Sequence, residues 1–211
     1  MKKKEICALY YDFVVEQKKR PKKLKKFLSH IDLPREDFLA KYSNLCEVEA
    51  DVWKRSLKKI IKVLKSSEDF VRYSSRDRGL AFMYSWFECM SENRHFFQVS
   101  KYIKPDCYSP RNECKGFQKE VKKFICELID QGLKRSEFKN RGLEAKMMSQ
   151  FFWSLFHVNL KSWQQRSKKS SQKNEVWMDA MIEKSMIFFF DSLAPNIFDT
   201  FVDMLKHRKS K

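Results

Sequence analysis

Residues 21–42 contain two short apolar stripes at helical spacing, separated by a break of three or four residues. The first stripe follows the i, i+3, i+4, i+7 spacing of one helix face and consists of Leu24, Phe27, Leu28 and Ile31. In the second stripe Phe38 and Tyr42 lie four residues apart. Asp32 is a candidate cap for the second helix, and Pro34 suits its first turn, where the missing N–H costs nothing. Two short helices joined in this way predict a helix-turn-helix.

Basic residues surround the first stripe, and the whole chain has a formal net charge of +17. Residues 1–65 hold 18 Lys and Arg against 9 Asp and Glu, a net charge of +9, while the other 146 residues supply +8. Such a charge indicates a polyanionic partner, with nucleic acid ahead of a membrane surface, although a basic surface can also serve solubility alone. The higher charge density of the N-terminal third places the predicted polyanion site there.

The rest of the chain is predicted to be helical as well. With 4 glycines and 5 prolines in 211 residues, and hydrophobic residues at 43%, the composition favours an all-α fold with a substantial core. Apolar stripes predict helices over about 46–66, 76–93, 95–103 and 117–129, with Gly132 as a C-cap of the last. The polar and proline-containing stretches 104–112 and 164–174 are predicted loops.

Two helices in the last third, Leu143–Trp163 and Val176–Leu193, are apolar on more than one face. One interpretation is a hairpin that pairs with a second copy of the chain in a four-helix bundle; the alternative is a hairpin buried within one monomer. The homodimer interpretation is preferred, with Phe189 or one of its neighbours Phe188 and Phe190 as an outward residue. The candidate interface residues are Met148, Phe152, Phe156, Met181, Phe188 and Phe189.

The chain lacks the common catalytic and metal-binding patterns. It has no glycine-rich phosphate loop, GxSxG or HExxH motif, and its 6 cysteines form no CxxC pair. We therefore predict no enzymatic activity, no cofactor, no metal and no disulfide framework. No apolar run is long enough for a signal peptide or a membrane span, so a cytoplasmic protein that does not enter membranes is expected.

The order of elements resembles the DNA-binding domain of the tetracycline-repressor (TetR) family. The matching residues are Ile6, Ala8 and Phe13 in the first helix, the pair Phe27 and Leu28, Leu33 after the turn, and the closing aromatic Tyr42. Asp32 stands where the family usually has glycine, Pro21 replaces a threonine, and residues 35–37 are more charged than usual. Residues 124–138 also resemble a stretch common in the regulatory domains of the family.

This resemblance implies a transcriptional regulator that binds operator DNA as a homodimer. Residues 1–45 are then the DNA-binding domain, and residues 46–211 the regulatory and dimerisation domain, in which the aromatic and Met-rich helices either hold a small apolar ligand or form plain core. The candidate DNA-binding residues are Lys22, Lys23, Lys26, Arg35, Glu36, Leu39, Lys41 and Tyr42. The alternative is a helical interaction protein that keeps the fold without reading specific DNA sequences.

Overall fold

The computed structural model describes residues 1–100, 112–138, 145–166 and 172–193. All regular structure within these ranges is helical, which confirms the all-α prediction. The helices are α1 (Lys3–Gln17), α2 (Leu24–His30), α3 (Arg35–Leu39), α4 (Leu45–Ser66), α5 (Glu68–Arg72), α6 (Ser75–Glu92), α7 (Arg94–Val99), α8 (Asn112–Lys134), α9 (Ala145–Arg166) and α10 (Gln172–Leu193).

The first three helices enclose a small aromatic core. The Phe27 ring of α2 meets Tyr10 and Phe13 of α1 edge-on, with centroid separations of 5.5 and 5.8 Å. Phe38 of α3 packs against Phe27 at 6.5 Å. All four rings are buried. Because α2 and α3 are too short to be stable alone, the packing of these rings stabilises them.

The turn between α2 and α3 contains a residue in the left-handed region. Asp32 has a φ of 48°, a conformation that glycine adopts freely and that aspartate tolerates better than most other residues. Pro34 occupies the N-cap position of α3, and no side chain caps this helix. The predicted capping role of Asp32 is therefore wrong. In this turn, Asp32 adopts the backbone conformation for which glycine is otherwise used.

Helix α4 connects the first three helices to the rest of the molecule. The side-chain oxygen of Asn44 caps its N-terminus by accepting from the N–H groups of Cys46 and Glu47, at 2.8 and 3.0 Å. The apolar face of α4 packs against α1, α6 and α8, and its buried apolar residues are Val48, Ala50, Val52, Trp53 and Leu57. The core is therefore continuous along α4.

Aromatic rings fill the centre of the larger helical part. The Trp53 ring lies 5.7 Å from Trp86, 4.8 Å from Phe97 and 5.5 Å from Phe117. Phe156 of α9 lies 6.2 Å from both Trp86 and Phe117. Since these rings contact one another directly and are buried, they form core packing.

Most predicted helices of the larger part agree with the structure. After residue 66 the chain contains two serine N-caps, Ser67 of α5 and Ser74 of α6. The exception is Gly132, which lies inside α8 and does not end it. A Cβ atom there would come within 2.2 Å of the Phe138 ring, so the glycine permits this close approach. The predicted loop 104–112 lies outside the described residues except for Asn112, which begins α8. The predicted loop 164–174 is too long, because residues 164–166 belong to α9 and residues 172–174 to α10; its remainder lies outside the described residues.

Within the described ranges, no helix combines the length and hydropathy required to cross a lipid bilayer.

Candidate nucleic-acid interface

Helix α2 buries one face in the small core and directs its lysines to solvent. Phe27 is 0% exposed and Leu28 is 6% exposed, whereas Lys22, Lys23 and Lys26 are all exposed. The sequence predicted this division, because the lysines occupy the positions between the apolar stripe residues.

A shallow cleft of about 700 Å³ lies between α2 and α3. Its lining residues are Leu24, Lys25, Leu28, Ser29, Asp32, Leu33, Pro34 and Arg35. Lys25 and Arg35 therefore line one cleft, although only Arg35 was among the candidate residues. The lysine run 22–26 contained Lys25, but nothing in its spacing distinguished it from its neighbours.

Helix α3 holds a single aromatic anchor and exposes the side chains around it. Phe38 is 0% exposed, while Arg35 and Glu36 are exposed and Leu39, an apolar residue, is 45% exposed. Lys41 follows the helix and is exposed as well. In the described part of the chain, no carboxylate lies within 4 Å of the exposed cations of this region, which are Lys22, Lys23, Lys25, Lys26, Arg35 and Lys41.

Tyr42 is not part of this exposed surface, so its prediction as a DNA-binding residue is wrong. It is 3% exposed, and its hydroxyl donates to Asp51 Oδ2 at 2.7 Å. Cys7 Sγ lies 3.2 Å from the same hydroxyl. Burial raises the pKa of Tyr42, and the hydrogen bonds with Cys7 and Asp51 raise it further. Tyr42 therefore ties the end of the helix-turn-helix to α1 and α4.

A buried carboxylate forms a second connection that the sequence analysis missed. Glu49 of α4 is 3% exposed and accepts from Arg20 Nε at 2.5 Å and from the Tyr10 hydroxyl at 2.9 Å. Its other oxygen accepts from Ser100 Oγ at 2.5 Å, and Ser100 Oγ accepts from Trp53 Nε1 at 2.9 Å. This chain of bonds connects the segment before α2 with the aromatic core. The sequence did contain a signal for this connection, namely an acidic residue inside the apolar stripe of α4, four positions before Trp53.

The hairpin of α9 and α10 carries an apolar face on its outer side. Val158 and Phe188 are 50% and 59% exposed, and Met181 is half-buried. The Phe151 and Phe188 rings meet at 5.6 Å. A shallow depression of about 370 Å³ in this face is lined by Leu155, Trp177, Ala180, Met181, Lys184, Ser185 and Phe188. We call this surface the outer face of the hairpin.

Four of the candidate interface residues lie on the opposite side of the hairpin. Met148, Phe152, Phe156 and Phe189 are 2%, 0%, 0% and 0% exposed. The ring of Phe82 in α6 lies 6.3 Å from Phe152 and 5.9 Å from Phe156, so the monomer itself covers them. Their prediction as interface residues is wrong, as is the outward orientation of Phe189. Of the six candidates, Phe188 and Met181 remain on the outer face.

A family model described as the tetracyclin repressor-like C-terminal domain matches residues 78–207. The chain belongs to this family. A crystal structure described as a TetR-family transcriptional regulator from Syntrophomonas wolfei strain Goettingen matches with a TM-score of 0.66 and 14% sequence identity, covering 92% of this chain and 96% of that chain. No curated protein sequence matches.

Membership in the TetR family agrees with the architecture of the described residues. The matched domain includes most of α6 and all of α7 to α10, and the structural likeness covers 92% of the chain. The resemblance first noted in residues 6–42 is thus supported by a separate part of the chain. Among the described residues of this TetR-type regulator, no group of three His, Cys, Asp or Glu side chains is arranged to hold a metal ion.

Proposed function

We propose that this protein binds operator DNA as a homodimer and acts as a repressor of transcription in the cytoplasm. The observation that carries the proposal is the exposed surface of α2 and α3. Six cations lie there around a buried aromatic core, and no carboxylate of the described residues lies within 4 Å of them. Phosphate groups are the natural partners for such cations. Family membership supports the same function.

The residues of this surface divide into two roles. Lys22, Lys23 and Lys26 are proposed to neutralise phosphates and set the register of the protein on the duplex. In the major groove, Arg35 suits the acceptors of guanine, Glu36 suits the amino group of cytosine, and Leu39 suits the methyl group of thymine. The exposure of Leu39 on a five-residue helix supports this role, because nearly half of this apolar side chain is left in water.

The dimer is proposed to form through the outer face of the hairpin. A two-fold axis would bring the exposed residues of both copies together and place the two helix-turn-helix units, residues 1–45 of each chain, against half-sites one helical turn apart. An apolar ligand bound between helices of residues 46–211 would release DNA if it favoured a different separation of the two units.

Alanine at both Lys23 and Lys26 is expected to weaken binding to every duplex alike. Each lost phosphate contact should make the slope of log K against log salt shallower by about 0.9. Fluorescence anisotropy at several salt concentrations measures this slope. The matched control is alanine at Lys59 and Lys62 of α4, which removes the same charge from an exposed helix face outside the helix-turn-helix. Equal slopes for both variants would place the DNA site elsewhere.

Arg35→Ala is expected to blunt discrimination at one base position, at a cost of about 1–3 kcal/mol if the contact is bidentate. A competition series in which each operator position is changed in turn measures this loss.

The same series tests the alternative of a helical interaction protein. If wild-type binding falls equally with specific and unrelated competitor DNA, the protein does not read sequence. The left-handed Asp32 removes one motive for that alternative, since the turn forms without glycine.

A further inference from the structure

Helices α8 and α9 form a groove that is lined by lysines from both sides. Its volume is about 710 Å³, and its lining residues are Lys115, Gln118, Lys119, Lys122, Lys123, Cys126, Lys146, Met147, Ser149 and Gln150. None of them is acidic. The groove lies outside the surface of α2 and α3 that is proposed to bind DNA.

Two acidic residues of α8, Glu120 and Glu127, face a different neighbour. Glu120 pairs with Lys54 and Lys58 of α4, with N···O distances of 3.7 and 3.2 Å. Glu127 pairs with Lys65 of α4 at 2.5 Å. Glu120 and Glu127 thus neutralise lysines of α4. Lys119, Lys122 and Lys123 of α8 line the groove.

The lysines of the groove are close enough to repel one another. Lys119 is three residues from Lys122 and four from Lys123, so these side chains share one helix face. Lys146 adds a positive charge from α9. The partner of Lys122 is Gln150, which is neutral. In the described part of the chain, no carboxylate lies within 4 Å of Lys119, Lys122, Lys123 or Lys146. An anion bound in the groove would relieve this repulsion.

We propose that this groove is a binding site for a small molecule that bears phosphate groups. Lysine ammonium groups are common phosphate ligands, and the side-chain amide of Gln118 provides a further donor. Met147, which is 50% exposed, and Cys126 supply an apolar part of the lining, which suits an organic phosphate. The volume lies in the range of small-molecule sites.

Duplex DNA is the less favoured occupant. Gly116 of α8 approaches α4 at Lys54, where a Cβ added to the glycine would lie 3.6 Å from the Lys54 side chain. Lys54 is ten residues beyond Asn44, or about 15 Å along α4, and the groove lysines 119–123 lie further along α8. This distance from the surface of α2 and α3 favours a separate ligand.

The test uses the full chain, and sodium tripolyphosphate is the probe. Isothermal titration at about 150 mM salt is expected to show saturable binding with one site per protomer. Replacing Lys119 and Lys123 by glutamine should weaken this binding by about tenfold or more, because charge–charge attraction supplies most of the affinity. The matched control, glutamine at Lys59 and Lys62 of α4, should change it by less than about twofold.

Three outcomes would overturn the proposal: no saturable binding by the wild type, equal weakening in both double variants, or equally tight binding of hexaglutamate. A larger loss of DNA affinity in the Lys119/Lys123 variant than in the control would assign the groove to DNA instead. The titration contains no DNA. A lack of tripolyphosphate binding would therefore leave the proposal of operator binding standing, and a lack of specific DNA binding would leave the proposal for the groove standing.

Discussion

Replacing Phe188 by glutamate is expected to convert the proposed dimer into monomers at micromolar concentration. Phe188 is 59% exposed on the outer face of the hairpin and contacts Phe151 there. Burying such a side chain contributes about 1.5–3 kcal/mol, and a two-fold interface contains the residue twice. The loss of about 3 kcal/mol or more corresponds to at least two orders of magnitude in the dimer dissociation constant. Sedimentation velocity across a concentration series measures the change.

Two variants control this experiment. Val71 of α5 is 56% exposed and lies away from the hairpin, so Val71→Glu should remain a dimer. Phe189 is 0% exposed, so Phe189→Glu should lower the free energy of unfolding instead of giving folded monomers. If the wild type sediments as a monomer over the whole range, or Phe188→Glu remains dimeric, the outer face is not the interface. The proposal of two DNA-binding units at adjacent half-sites would fail with the first result.

Glu49→Ala is expected to lower the free energy of unfolding by about 3–5 kcal/mol, the usual effect of removing one partner from a buried ion pair. The Arg20 guanidinium is 16% exposed as a side chain and would lose its counter-ion. The hydroxyls of Tyr10 and Ser100 would lose an acceptor at the same time. Urea unfolding at one protein concentration, followed by tryptophan fluorescence, measures the loss; Trp53 and Trp86 of the core are two of the five tryptophans.

The comparison variants separate the ion pair from the rest of the network. Glu49→Gln keeps the shape and one acceptor and should cost about 1.5–3 kcal/mol. The Arg20→Ala/Glu49→Ala double variant should be more stable than the sum of the single changes predicts, since it leaves no buried charge alone. A loss below about 1 kcal/mol for Glu49→Ala would show that the network does not stabilise the link between α4 and the segment before α2.

The sequence was sufficient for the local helices because their apolar residues recur at the helical period. The stripe of Leu24, Phe27 and Leu28 predicted α2, and the lysines between them were correctly expected on the exposed side. The same reasoning located α4, α6, α8, α9 and α10 to within a few residues. It overestimated the role of single residues at helix ends, as Asp32 and Gly132 show, because such roles depend on backbone angles and on approaching side chains.

The sequence alone therefore determined that the chain is helical, which residues share a helix face, and that its N-terminal third is the more basic. Only the tertiary structure decided which faces are covered. Phe82 of α6 covers Phe152 and Phe156 of α9. Phe152 in turn packs against Phe189 of α10. These contacts join residues from distant parts of the sequence. Tyr42 and Glu49 are buried because α1 folds against α4. Periodicity describes one helix at a time, whereas burial depends on the helices packed around it.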